Sequence, residues 1–209
     1  MEFQLWIAFV SASIALLLIP GPTVLLVLSY ALSQGRKIAV ASAAGVALGD
    51  LIAMTASLLG LGALVLTSAA LFTVIKWIGA IYLIWMGIGM LRAASTQKGL
   101  TVVDAPALPT RQIFRNTATV TALNPKSIFF FIAFVPQFIR PEAALAPQFL
   151  ILIGTFVGLA ALNALAYALL ADRLRATIKR PAILRWLTRA GGGALIAMGA
   201  LTATLRRAA

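Results

Sequence analysis

The sequence predicts an all-α membrane protein of six transmembrane helices, arranged as two inverted three-helix repeats in which helices one and four are broken. Three observations predict it. Of 209 residues, 62% are hydrophobic and 11% charged, whereas a soluble domain carries roughly 25% charged residues. Six segments approach the ~20 apolar residues that a membrane crossing needs. Two of these segments, at matching places in the chain, carry helix-breaking proline.

The first segment covers residues 3–33, with Ile19-Pro20-Gly21-Pro22 inside it. A proline within a helix removes a hydrogen bond and clashes with the preceding turn, at roughly 3 kcal/mol each. In lipid, broken backbone survives only where protein or a wet cavity covers it. The break is thus a candidate site, the alternative being a kink that only shapes packing. No basic region precedes this apolar run, so it reads as a retained span rather than a cleaved signal. The second segment is 38–66 and the third 71–91. The fourth, 114–138, contains Asn124-Pro125, which lies 103 residues after Gly21-Pro22. The fifth is 147–171. The sixth has a charge-free part of only 190–205; it spans if it begins near Pro181 with Arg185 and Arg189 snorkelling, and otherwise lies on the surface.

The chain reads as one membrane domain, 1–209, with a first half 1–92, a cytoplasmic linker 93–113 rich in Ala, Ser, Thr, Gln and Pro, and a second half 114–209. Residues 172–189 mix basic and apolar side chains and read as an amphipathic interfacial segment. Twelve basic residues fall on one side of the predicted spans and three on the other. The side with twelve should be cytoplasmic, which accounts for the net charge of +12 without a nucleic-acid partner. Three spans per half forces opposite insertion of the halves, and transporters built that way bind substrate between broken helices at the midplane. A second echo joins Leu83-Ile84-Trp85-Met86-Gly87 to Leu195-Ile196-Ala197-Met198-Gly199 at an offset of 112.

The candidate substrate-binding and coupling residues are Pro20, Gly21, Pro22, Asp50, Asn124, Pro125 and Lys126. Asp50 is the only acid inside a predicted span, 12 residues into the second. That depth is ~18 Å at 1.5 Å per residue. A central Asp costs roughly 2.5–3.5 kcal/mol on insertion scales, so it faces protein or water. It carries a proton, meets a substrate ammonium, or bonds a neighbouring helix. Lys126, just past the second break, either pairs with Asp50 or holds a substrate carboxylate. Gly45, Gly49, Gly79 and Gly87 read as helix-packing positions, where small residues let backbones approach. Such faces also permit a homodimer. The chain has no cysteine and no histidine, which removes thiol chemistry, Ser-His and Cys-His nucleophiles and most metal sites. No cofactor and no metal are expected. An intramembrane enzyme would be left with Ser-Lys or carboxylate chemistry, and the adjacent Lys126-Ser127 pair diverges on a helix.

The ordered set of motifs resembles the lysine exporter (LysE/RhtB) family of amino-acid efflux proteins. Ile19-Pro20-Gly21-Pro22, Gly45-Val46-Ala47-Leu48-Gly49-Asp50, Lys76-Trp77-Ile78-Gly79-Ala80-Ile81-Tyr82-Leu83, Leu123-Asn124-Pro125-Lys126 and Phe134-Val135-Pro136-Gln137-Phe138 carry it. The resemblance implies export of amino acids or close derivatives across a bacterial inner membrane by proton antiport. Its partners would be the amino acid, protons and the bilayer. Related sequences often place a histidine shortly after the second-span Asp. Here Leu51, Ile52, Ala53 and Met54 follow, so coupling falls to Asp50 or a lysine. One intramembrane acid beside one lysine compensates a doubly cationic substrate poorly. A neutral amino acid, homoserine-, threonine- or leucine-like, is therefore expected. The alternatives are a basic amino-acid exporter, a small-solute channel and a membrane partner that transports nothing.

Overall fold

A computed structural model describes residues 2–19, 21–67, 69–96, 107–140, 143–178 and 181–204. All secondary structure among them is helical: α1 (Phe3–Leu18), α2 (Pro22–Gln34), α3 (Ala39–Thr67), α4 (Ala69–Thr96), α5 (Thr110–Ala122), α6 (Pro125–Ala133), α7 (Leu145–Ile178) and α8 (Pro181–Thr204). Short 3-10 helices follow α2 at Gly35–Ile38 and α6 at Val135–Phe138. Among the described residues, three stretches are long and apolar enough to cross a membrane: Pro22–Gly60, Thr73–Ser95 and Leu145–Ala171. The first is bent at Gly35, where φ of 73° is a backbone angle that glycine adopts without a Cβ penalty. Phe3–Leu18 is a shorter apolar helix.

Both prolines that open a half-helix sit where proline costs least. Pro22 and Pro125 are the first residues of α2 and α6, positions whose N–H would have no intrahelical partner anyway. The expected interior penalty therefore does not apply to them. Gly21 precedes Pro22 in extended backbone, and Asn124 precedes Pro125 the same way. The Asn124 side chain accepts the Lys126 backbone N–H at 3.1 Å, an N-cap that starts α6. Pro20 lies outside the described residues.

Two sequence expectations need correction. The 93–113 linker is shortened from both ends: Ala93, Ala94 and Ser95 continue α4, and α5 begins at Thr110 behind Pro109. Its middle, 97–106, lies outside the described residues. The 172–189 stretch is not a separate interfacial element. α7 continues to Ile178 and α8 begins at Pro181, because Leu, Arg and Ala are good helix formers and proline suits a helix start. α8 runs along α4 rather than across the surface of the bundle. Its 24 residues extend ~36 Å at 1.5 Å each.

Glycine sets how closely the helices approach. A Cβ on Gly45 would lie 2.5 Å from the Phe114 carbonyl oxygen, and one on Gly49 2.6 Å from that of Ala118. α3 and α5 therefore meet backbone to backbone. Gly79 faces Ala133 of α6 just as closely. Between α4 and α8, a Cβ on Gly87 would stand 2.6 Å from the Gly192 carbonyl oxygen and 3.1 Å from the Ile196 nitrogen. One on Gly199 would stand 2.7 Å from the Ala80 carbonyl oxygen and 3.2 Å from the Ile84 nitrogen. Replacing Gly87 by Leu is expected to destabilise the protein by about 1–3 kcal/mol through overpacking. Gly89→Leu, with nothing within 4 Å of its would-be Cβ, should leave the thermal midpoint in detergent unchanged. Equal midpoints for the two variants would contradict this account of the seam.

The core is aromatic near the second break. Phe130, Phe131 and Phe156 are fully buried, and the Phe131 and Phe156 rings meet edge to face at 4.8 Å. Phe129 turns the other way and stacks on Tyr82 of α4 at 3.6 Å. These rings hold α6 between α4 and α7, and so fix where Lys126 starts.

Candidate functional site

The two breaks converge on one internal cavity. Gly21, Asp50, Asn124 and Lys126 all line it, and Pro22 and Pro125 set the half-helices that open onto it. Val24, Val27, Val46, Ala160 and Ala164 supply aliphatic lining. Thr23, Thr121, Ser127, Asn163 and Tyr167 add neutral polar groups. The cavity measures about 30 Å³, room for water but not for an amino acid, so admitting one requires its walls to part.

Asp50 is delivered by α3. Its neighbour Gly49 packs against the end of α5, which brings the carboxylate beside the second break. Asp50 is 2% exposed, and its Oδ1 has no hydrogen-bond partner. A buried carboxylate without a partner is costly in an apolar medium unless a proton or a cation offsets it.

Lys126 is 8% exposed and does not pair with Asp50 within 4 Å. Its ammonium instead donates to the carbonyl oxygens of Ile19 at 2.9 Å and Leu16 at 3.1 Å. α1 ends at Leu18; the Leu16 carbonyl accepts the Ile19 N–H at 3.2 Å, and the last carbonyls carry the negative end of the helix dipole. A lysine ammonium has three N–H donors. Two are used here, and one is left to the cavity. A Cβ on Gly21 would lie 3.3 Å from this ammonium, so a side chain at 21 would crowd it.

Two further donors hold the same helix end. The Asn163 side-chain NH2 donates to the Leu17 carbonyl at 3.2 Å, and the Tyr167 hydroxyl to the Leu18 carbonyl at 3.4 Å. Both lie on α7, one turn apart. Sequence reasoning did not single them out, although two polar residues four apart in an otherwise apolar span was a usable signal. Thr23 was also missed. Its Oγ1 accepts from the Asn124 side-chain amide at 3.1 Å and sits 3.3 Å from the Thr121 hydroxyl. That pair joins the first break directly to the second. No group of three or more Asp, Glu, Cys or His residues that would suit a metal occurs among the described residues.

Known proteins with this sequence pattern agree in kind. The chain is 36% identical to a homoserine/homoserine lactone efflux protein of Salmonella typhimurium, across the whole length of both chains. It is 33% identical to an uncharacterized membrane protein of Vibrio cholerae over 99% of this chain and all of the other. It is also 36% identical to a leucine efflux protein of Klebsiella pneumoniae over 66% of this chain and 65% of that one. No solved structure matches the chain at a significant level. The family described as LysE type translocator matches residues 14–205. With that match over nearly its full length, the chain belongs to the LysE type translocator family and is a membrane transporter, not an enzyme.

Proposed function

We propose that this protein exports neutral amino acids or close derivatives, homoserine- or leucine-like, from the bacterial cytoplasm across the inner membrane in exchange for protons. One observation carries the reading: an unpartnered carboxylate and a lysine ammonium face the same cavity without pairing with each other. That is the electrostatic complement of a zwitterion. The substrate ammonium meets Asp50, and the substrate carboxylate takes the Lys126 N–H that the α1 carbonyls leave over. The two charges of the site are balanced by the two of the substrate. The side chain then projects toward uncharged wall residues such as Val24, Val46 and Ala164. A lysine or arginine side chain would bring a third, uncompensated charge. When substrate leaves, a proton on Asp50 offsets the carboxylate, which links the two fluxes.

The architecture in this reading is six spans in two inverted halves, residues 1–92 and 114–209, with their joining segment in the cytoplasm. Support comes from the α4–α8 seam. Adding 112 turns Gly87 into Gly199, Ile84 into Ile196 and Ala80 into Gly192. The close contacts exchange accordingly: Gly87 meets Gly192 and Ile196, while Gly199 meets Ala80 and Ile84. Reciprocal contacts of this kind are the signature of a two-fold relation. Support also comes from the shared order of half-helix, break, proline-led half-helix and 3-10 helix in α1–α2 and α5–α6.

The test is efflux from proteoliposomes under an imposed pH gradient, with radiolabelled homoserine, leucine and lysine as alternative cargo. Homoserine and leucine should leave faster than lysine, and both rates should collapse when the gradient is dissipated. Preference for lysine, or efflux indifferent to the gradient, would sink the reading.

A further inference from the structure

The neutral polar groups on the cavity wall are not equivalent. Thr23 and Thr121 are occupied with each other and with Asn124. Asn163 differs, because its orientation is fixed from outside the cavity. The Leu17 carbonyl can only accept a hydrogen bond, so the Asn163 atom 3.2 Å from it is the amide nitrogen. The amide oxygen is then turned away from α1. It has no hydrogen-bond partner among the described residues, and Asn163 lines the cavity. In a membrane segment, a fixed carbonyl-type acceptor is satisfied by water or by cargo.

The cargo group that such an oxygen selects is a neutral donor. Ala160 lies nearly one turn before Asn163 on α7 and Ala164 directly follows it, and both are small and buried, so nothing bulky guards that stretch of wall. The Tyr167 oxygen, one turn beyond, is a second polar atom on the same wall. A side chain with a terminal hydroxyl can donate there. A hydrocarbon chain of the same length leaves the amide oxygen unsatisfied, and a site built for a hydroxyl discriminates strongly against the analogue that lacks it.

We infer that Asn163 reads the cargo side chain, its amide oxygen accepting from a terminal hydroxyl, so that hydroxyl-bearing aliphatic amino acids are exported in preference to hydrocarbon ones. The inference rests on the zwitterion reading above, which fixes the backbone end of the cargo at Asp50 and Lys126 and leaves the side-chain end for α7.

Homoserine and norvaline form the decisive pair, since they differ by a hydroxyl in place of a methyl. In proteoliposomes, wild-type protein should export homoserine at least about ten-fold more efficiently than norvaline at subsaturating concentration. Asn163→Leu, close in volume and without the acceptor, should bring the ratio near one by slowing homoserine. Asn163 as a mere cap on Leu17 predicts instead that both substrates slow together. An unchanged ratio in the variant therefore overturns the inference. So does equal export of the two by wild-type protein, a measurement that does not depend on the variant folding. Equal export with pH-gradient coupling intact would leave the exporter reading standing, whereas export of neither amino acid, nor of leucine, would overturn both.

Discussion

Asp50→Asn is expected to fold, reach the membrane and lose gradient-driven efflux. The change keeps the shape of the side chain and removes its charge. Asp50 is buried with Oδ1 unpartnered, so its carboxylate gives the resting fold no ion pair to lose. Burying a charge that has no hydrogen-bonded partner is costly, so removing it should not weaken the fold. The thermal midpoint of the purified variant should therefore equal or exceed that of the wild type. Function responds in the opposite sense. An amide neither releases a proton nor offers a full negative charge to an ammonium, so efflux against a gradient should fall below detection. The two readouts moving apart is the diagnostic result. A wild-type rate in the variant would remove Asp50 from the mechanism. A lowered midpoint would reveal a structural role that the described contacts do not contain.

Lys126→Met is expected to damage both stability and transport. Methionine nearly matches lysine in length, so packing near Gly21 is kept while the ammonium goes. The carbonyls of Leu16 and Ile19 each lose a charge-assisted donor. The Leu16 carbonyl keeps the Ile19 N–H, but the Ile19 carbonyl is left without a partner, which costs about 1–3 kcal/mol. The thermal midpoint should fall. Efflux should drop by about 10–100-fold as well, because a hydrogen bond from a charged group contributes roughly 1.5–3 kcal/mol to holding a carboxylate. Lys126→Arg separates the two effects. It keeps the charge, but a guanidinium is bulkier and more rigid than an ammonium, and the space beside Gly21 is tight. Stability should recover more than transport. Efflux at the wild-type rate from the methionine variant would sink the assignment of the substrate carboxylate to Lys126.

Sequence carried some of this and lost some of it, for physical reasons. Pro22, Pro125 and Asp50 are legible because each is expensive in lipid, and expense narrows where a residue can sit. Gly87 and Gly199 are legible through their neighbours, since the apolar echo around them repeats at a fixed offset. The end of α7 was misread. Asp172, Arg173 and Arg175 break an apolar pattern but not a helix, so hydropathy marks where lipid would stop and says little about where the helix stops. Asn163, Tyr167 and Thr23 stayed hidden for another reason. Each is an ordinary polar residue whose meaning comes from a partner about 100 or more positions away, and no local rule finds such a partner. The Lys126 contact illustrates the same limit. Opposite charges in lipid suggest a pair with Asp50, but the end of α1 offers competing negative charge in two carbonyls, and the ammonium goes there.

The two breaks also differ in what closes them. At the end of α5, backbone N–H groups of Leu123 and Asn124 turn back onto Thr119 and Thr121. That knot is tied within the strand of chain that it secures, and no passing solute competes for it. The end of α1 has one such bond, from the Ile19 N–H to the Leu16 carbonyl at 3.2 Å, and is otherwise moored by borrowed lines: an ammonium from α6, and an amide and a phenol from α7. Every one of those three groups also looks into the cavity. In the proposed reading cargo takes the Lys126 N–H and the Asn163 oxygen that α1 leaves free, so the side chains that would hold cargo are also the ones that hold the first break.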